Sequence, residues 1–451
     1  MKRISFHSLA VIVVALLFCA GLGLFYGRLA LVGDAWATYP TNRHLYKDGH
    51  LVKAGEITDR DGTVLAYTRK GTRYFHEDIR IRQATAHTVG DLDGFVSTGV
   101  HSAFLNELTG YDLINGTYNM SGEGHDMRLT VDADLSVTAC QALGNRAGTV
   151  GIYNYKTGEI LCMVSTPTFD PASETGLAEE KGVYVNRLLS GSYAPGSIFK
   201  LVTALSALEN LDDVASHRYT CARGVTIGGE WLSCLGNHGK VDLESALVKS
   251  CNAAFAQFAL TLGRSRLTKT AEKVGFNQTL TMDGIACTQS CYQVEKSNDI
   301  DFGWSGIGQH NDTVNPFQFL TFMGGIAGGG TCVWPYLVED ISSFSGTVKT
   351  MSNGKRVSMM SKDAAATLSD MMRKDVTDHY GDGNFAGLEL CAKTGTAEIG
   401  DQSTPHSWFV GFCRAPDKPY AFVVVVENAG AGLGVASHIA ARVLKAAPKW
   451  S

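Results

Sequence analysis

The chain is 451 residues long, with 39 Lys and Arg against 44 Asp and Glu, and its formal net charge of −5 offers no basic field for gripping nucleic acid. Apolar residues make up 45% and charged ones 18%, a composition that excludes disorder, collagen and coiled coil and suits roughly two to three domains. The 50 Gly against 10 Pro point to many tight turns and a mixed α and β fold rather than a helical bundle.

Lys2 and Arg3 precede a run from Ile4 to Gly27 without formal charge, almost wholly apolar from Leu9 to Phe25. A bilayer needs about 20 such residues, and flanking cations stay cytoplasmic. Residues 1–33 therefore read as a cytoplasmic tip and a single-pass transmembrane anchor, with the rest of the chain facing outward. Ala35-Trp36-Ala37 has the small-x-small form of a cleavage site but lies too far downstream of the apolar run. Cys19 follows Phe18, where a lipoprotein signal needs a small residue.

Residues 34–48 read as a linker, and Glu56 to Ala66 as strand, Asp61-Gly62 turn and strand. Residues 34–128 are expected to form a small extended, non-catalytic module, and a second unit, 129–451, begins where polar residues 115–125 give way to Met127–Asp132. Thr149 to Tyr153 and Glu159 to Ser165 form a predicted hairpin around Asn154–Gly158. Apolar residues at 198, 199, 201, 202, 205 and 208 predict a helix starting at or beside Ser197. His406 to Cys413 and Ala421 to Val426 read as strands, the stretch Phe422–Val426 being too uniformly apolar for a sheet edge, and Gly434 to Leu444 as a closing helix.

The 11 cysteines include no Cys-x-x-Cys pair, and Cys287 and Cys291 have no neighbours to complete a zinc site of the usual spacing. No metal and no cofactor is expected. Cys221 and Cys234 flank the Gly-rich stretch Gly224–Gly229 and either close a loop as a disulfide, if outside the cytoplasm, or stay as buried thiols.

Three short elements occur in order: Ser197-Ile198-Phe199-Lys200, Ser250-Cys251-Asn252 and Lys393-Thr394-Gly395. Ser352-Asn353-Gly354-Lys355 and Lys156-Thr157-Gly158 fit the first and last patterns too, but both sit in turns. On a helix, residues i and i+3 share a face, so Lys200 can stand beside the Ser197 hydroxyl as its base. A lysine serves as a base only if burial and nearby cations depress its pKa, and Lys393 supplies such a cation. Backbone N–H groups of Ser197, at a helix start, and of Thr396 are available to a developing oxyanion. Ser197 alone would more often be an ordinary helix cap, and Ser250 with Asn252 would be a cap about as often as not; the ordered triple overturns that reading.

The triple resembles that of the penicillin-recognising serine enzymes, and the chain resembles the class B penicillin-binding proteins, serine D,D-transpeptidases of bacterial cell-wall synthesis. Asp59-Arg60-Asp61-Gly62, Leu129-Thr130-Val131-Asp132, Tyr155–Ile160, Ser165–Pro171, Gly306-Ile307-Gly308-Gln309 and His406–Gly411 are similar to further family blocks, together covering residues 57 to about 445. The resemblance implies an α/β (α+β) fold of the transpeptidase and serine β-lactamase type, with an antiparallel central sheet flanked by helices. It implies Ser197 as acylated nucleophile, Lys200 as base, Ser250 as proton relay to the leaving D-alanine and Asn252 as holder of the substrate amide. Lys393, Thr394 and Gly395 would bind the terminal carboxylate end, and Thr396 would add the oxyanion N–H and a hydroxyl. Implied partners are peptidoglycan stem peptides as donor and amine acceptor, β-lactams as covalent inhibitors, the membrane and a separate glycan polymerase. Residues 28 to about 128 are too few for a glycosyltransferase domain.

Two other readings stand beside this one. A D,D-carboxypeptidase or β-lactamase would pass the acyl group to water, although the insert of about 140 residues between Asn252 and Lys393 is more like the transpeptidases. A non-enzymatic penicillin-binding sensor would need a signalling partner domain, of which the sequence gives no sign, and a scaffold would tolerate decay of polar motifs that are here intact.

Overall fold

A computed structural model describes residues 2–37, 46–47, 50–51, 54–112, 117–118, 124–173, 180–343, 346–350, 354–397, 404–430 and 433–450. Its first element is the helix Lys2–Ala37, within which the span Phe6–Leu31 is long and apolar enough to cross a membrane, with an 18-residue window of mean hydropathy 2.7 and no buried share. The helix runs past the expected anchor end at 33 to Ala37, across a stretch in which Ala35 and Ala37 are good helix formers. Most of the predicted linker, and Ser352-Asn353, lie outside the described residues.

The centre of the fold is an antiparallel sheet of five strands: β1 (Gly148–Asn154), β2 (Ile160–Thr166), β3 (Leu390–Ala397), β4 (His406–Cys413) and β5 (Tyr420–Val426), in the order β2-β1-β5-β4-β3. The predicted hairpin is β1–β2, with Lys156-Thr157-Gly158 in its turn, where Asn154 Oδ1 accepts the Lys156 N–H at 2.9 Å. Strand β5 lies in the middle of the sheet and every residue in it is buried, which is why Phe422–Val426 lacks polar alternation. One face packs against the helices Ala133–Leu143 and Val435–Ala446, through Val150, Ile152, Phe422 and Val424. The other face, with Tyr153, Val423 and Val425, packs against Pro316–Ala327 and the helical region beyond it. The closing helix starts one residue later than expected, with Gly434 as its N-cap.

A second sheet has six strands, in the spatial order Gly346–Thr350, Val338–Ser343, Asp126–Leu129, Ile57–Thr58, Val64–Arg69 and Thr72–Phe75. The predicted Asp61-Gly62 hairpin is within it, pairing Ile57 with Ala66. A boundary after residue 128 cuts the strand Asp126–Leu129, which pairs with Ile57–Thr58 on one side and Val338–Ser343 on the other. Asp59 adds a further tie. It is 2% exposed, and its carboxylate accepts the N–H groups of Asp61 (3.0 Å), Thr63 (2.8 Å) and, across the boundary, Ala133 (3.1 Å).

Candidate active site

Ser197 lies in a 3₁₀ turn, Gly196–Phe199, that runs directly into the α-helix Lys200–Asn210. The expected helix thus begins with its tighter form, in which residues i and i+3 eclipse. Lys200 Nζ consequently stands 3.0 Å from Ser197 Oγ. The turn is held from below and from the side. Gly196, at φ +56°, donates its N–H to Gly308 O at 2.8 Å, and a Cβ on Gly196 would fall 2.4 Å from Thr396 O. A Cβ on Gly308 would fall 2.2 Å from Gly196 O, so both glycines are required for β3 and the Gly306–Gln309 block to close on the nucleophile. Trp408 Nε1 donates to Ala194 O at 3.1 Å, which fixes the loop entering the turn.

Ser250 and Asn252 reach the same lysine from the junction of the helices Leu243–Val248 and Asn252–Leu262. Ser250 has φ +48°, a left-handed conformation that costs a residue with a Cβ about 1–2 kcal/mol. In that conformation both of its oxygens face Lys200: Nζ is 2.8 Å from Ser250 O and 3.1 Å from Ser250 Oγ, and 2.6 Å from Asn252 Oδ1. Lys200 is fully buried among acceptors that carry no formal charge. Burial, then the Lys393 charge, brings its pKa down to about 7 against a weaker opposite pull from Cys234, Cys251 and Asp375.

Lys393 reaches the site from the edge strand β3. It is also buried, 1% exposed, but Asp375 Oδ2 lies 3.3 Å from its amine and the Tyr380 hydroxyl 3.3 Å away. Burial alone would discharge this amine; Asp375 and Tyr380 outweigh it and raise its pKa, so Lys393 stays a cation. Burial pushes the Asp375 carboxyl up, against the pull of Lys393. Sequence reasoning missed both partners. Asp375 ends the helix Lys362–Asp375, and a π turn, Val376–Tyr380, brings the Tyr380 hydroxyl back to within 2.7 Å of Asp375 Oδ2.

Thr394 turns its hydroxyl to that of Tyr380 at 3.0 Å, and Tyr380 also accepts the Thr394 N–H at 3.1 Å. Gly395 packs under Pro195 and Ile198, while Thr396 opposes Ser407 in the β3–β4 ladder. The three motifs, far apart in the chain, thus meet around two buried amines. One serine hydroxyl has a depressed-pKa lysine beside it and a second hydroxyl on the far side of that lysine. This arrangement can take a proton from Ser197, hold it and return it to a leaving amine, which is the requirement of acyl transfer.

None of the 11 cysteines is in a disulfide, so Cys221 and Cys234 are thiols here. They do not stand alone. Among the described residues, Cys221, Cys234, His238 and Cys251 form a group able to hold a metal ion, a grouping that the spacing of neighbouring cysteines had not suggested.

The family described as penicillin binding protein transpeptidase domain matches residues 148–445. The peptidoglycan D,D-transpeptidase PbpA of Mycolicibacterium smegmatis is 28% identical, over 94% of this chain and 92% of that protein. Stage V sporulation protein D of Bacillus subtilis is 27% identical over 72% of this chain and 53% of its own length. Among solved structures, the ceftriaxone acyl-enzyme complex of penicillin-binding protein A from M. tuberculosis superposes with a TM-score of 0.77 at 25% identity, covering 88% of this chain and 98% of that one.

Proposed function

The chain belongs to the penicillin-binding-protein transpeptidase family, and from that premise we propose that it crosslinks peptidoglycan stem peptides as a serine D,D-transpeptidase inhibited covalently by β-lactams. The observation that carries this reading is the buried Lys200 amine, 3.0 Å from Ser197 Oγ and 3.1 Å from Ser250 Oγ, with a pKa of about 7.

In this reading Lys200, as the neutral amine, takes the Ser197 proton while Ser197 Oγ attacks the penultimate D-alanine carbonyl. The oxyanion gathers the N–H groups of Ser197 and Thr396. The proton then passes through the Ser250 hydroxyl to the leaving D-alanine amine, and the C–N bond breaks. An acceptor amine from a second stem peptide attacks the acyl-enzyme, gives a proton back along the same path and leaves with the new amide bond. Lys393, kept charged by Asp375 and Tyr380, supplies the cation for the terminal carboxylate, assisted by Thr394 and Thr396; Asn252 holds the donor amide. The transpeptidase unit of this proposal spans residues 129–451, beyond the matched segment. The apolar helix anchors it with the amino terminus cytoplasmic and the site outside, beside a separate membrane glycan polymerase.

The test is labelling of the full chain in detergent with a fluorescent penicillin, with peptide mapping of the adduct and its lifetime followed beside Ser197→Ala. A long-lived adduct on Ser197, absent from the variant, together with D-alanine release that depends on an added acceptor amine, is expected. Rapid loss of label would replace transpeptidation by hydrolysis. No label on folded protein would remove Ser197 as a nucleophile.

A further inference from the structure

We propose that Cys221, Cys234, His238 and Cys251 form a closed tetrahedral zinc site that braces the Ser250-Cys251-Asn252 turn from behind. The inference goes beyond transpeptidation and stands without it.

The four donor atoms lie within 4.8 Å of one another. His238 Nδ1 is 3.6 Å from Cys221 Sγ and 3.5 Å from Cys234 Sγ. Zinc bonds of about 2.3 Å to sulfur and about 2.0–2.1 Å to nitrogen put tetrahedral S···N edges at about 3.6 Å, so the ring and both sulfurs already hold the spacing of ligands around one ion. A disulfide uses two sulfurs at about 2.0 Å and would leave the third thiol and the imidazole unused. Three sulfurs and one imidazole favour zinc over magnesium or calcium, and four protein ligands leave no open position for chemistry.

The surrounding chain is built for the arrangement. Cys221 ends the strand Tyr219–Cys221 and Cys234 follows the strand Glu230–Ser233; His238 precedes Gly239–Val241, and Cys251 is the N-cap of Asn252–Leu262. Cys221 and Cys251 are fully buried. A Cβ at position 236 would fall 2.8 Å from His238 Nε2, so Gly236 makes room for the ring. The segment from 219 to 241 consists of two short strand pairs and leaves Trp231 and Leu235 exposed at 55% and 98%. Two-stranded pairs with so little apolar burial need a staple.

That staple would reach the active site by one bond on each side. Cys251 lies between Ser250 and Asn252, and Ser233, beside Cys234, accepts the Asn252 Nδ2 proton at 3.2 Å. Asn252 Oδ1 in turn takes a hydrogen bond from Lys200. On binding, each thiol loses its proton to solvent as its sulfur bonds the ion, and His238 binds as neutral imidazole.

The full chain, purified in detergent without chelator, is expected to carry one zinc per chain by elemental analysis. Cobalt exchanged for it should show the visible bands and thiolate charge-transfer absorption of a tetrahedral thiolate site. Cys234→Ser and His238→Ala should lose the metal, and His238→Cys should retain it. Stripping zinc from the wild-type protein should slow penicillin acylation about 10–100-fold, with recovery on adding zinc back. Metal-free protein whose three thiols alkylate freely, or a mapped disulfide between two of them, would overturn the site. Bound zinc whose removal leaves acylation unchanged would overturn the brace. A protein that holds zinc in this spectrum but is never acylated would count against the transpeptidase reading, not against the metal.

Discussion

Lys200 and Lys393 approach the site from its helical and sheet sides, and both are sealed from water, yet the pKa of Lys200 falls to about 7 while that of Lys393 rises. Lys200 is surrounded by two hydroxyls, a carbonyl and an amide oxygen, none of which repays the loss of its hydration shell. Lys393 has a carboxylate at 3.3 Å. Burial therefore does not decide what a lysine does; the nature of its nearest acceptor does. A base and an anion-binding cation can be made from the same side chain in one site, and the Lys393 charge also presses Lys200 toward its neutral form.

The hardest way to break this contrast is to remove the base. Lys200→Met, close in volume and without the amine, should lower the second-order rate of penicillin acylation about 10²–10⁴-fold with the fold retained by circular dichroism. A loss under tenfold would hand the proton to another group. Asp375→Asn attacks the other side. It leaves a buried cation without its carboxylate and should cost about 3–5 kcal/mol of stability, read from the chemical unfolding midpoint. A cost below about 1 kcal/mol would mean that Lys393 is not a cation in the native state.

The smallest effect is in the pH profile, where the sign follows from Lys200. Its pKa of about 7 lies below the ordinary 10.5, and acylation needs the neutral amine. The rate should rise about tenfold per pH unit below pH 7 and level off above it. The same shift means that the unfolded chain binds more protons between pH 7 and 10.5, so the cost of burying this lysine is greatest below 7 and fades toward 10.5. A rate that is flat from pH 5 to pH 8 would exclude Lys200 as the titrating base.

Features set by neighbours in the chain were legible in the sequence. The β1–β2 hairpin, the buried strand β5 and the Ser197–Lys200 pairing each depend on a local period or a turn residue. What escaped is what the fold brings together from a distance. Asp375 looks like any acidic residue near a helix end, and only its position under β3 makes it the partner of Lys393. Cys221, Cys234, His238 and Cys251 are 13, 4 and 13 positions apart, a spacing without meaning until two strand pairs and a helix start converge. The strand Asp126–Leu129, at the expected start of a second unit, pairs with Ile57–Thr58 on one side and Val338–Ser343 on the other, a pairing that no local pattern announces.

That shared sheet limits how the molecule can be divided. Val338–Ser343 is interior only because Asp126–Leu129 lies beside it, and Asp126–Leu129 is interior only because Ile57–Thr58 lies beyond. A chain begun at residue 129 would uncover a row of unpaired peptide groups, which invites another copy to add its own strand. The amino-terminal strands thus act as a fitted cover for an edge that the later strands would otherwise leave open, and a force applied to them would load Val338–Ser343 through backbone hydrogen bonds rather than through a flexible tether.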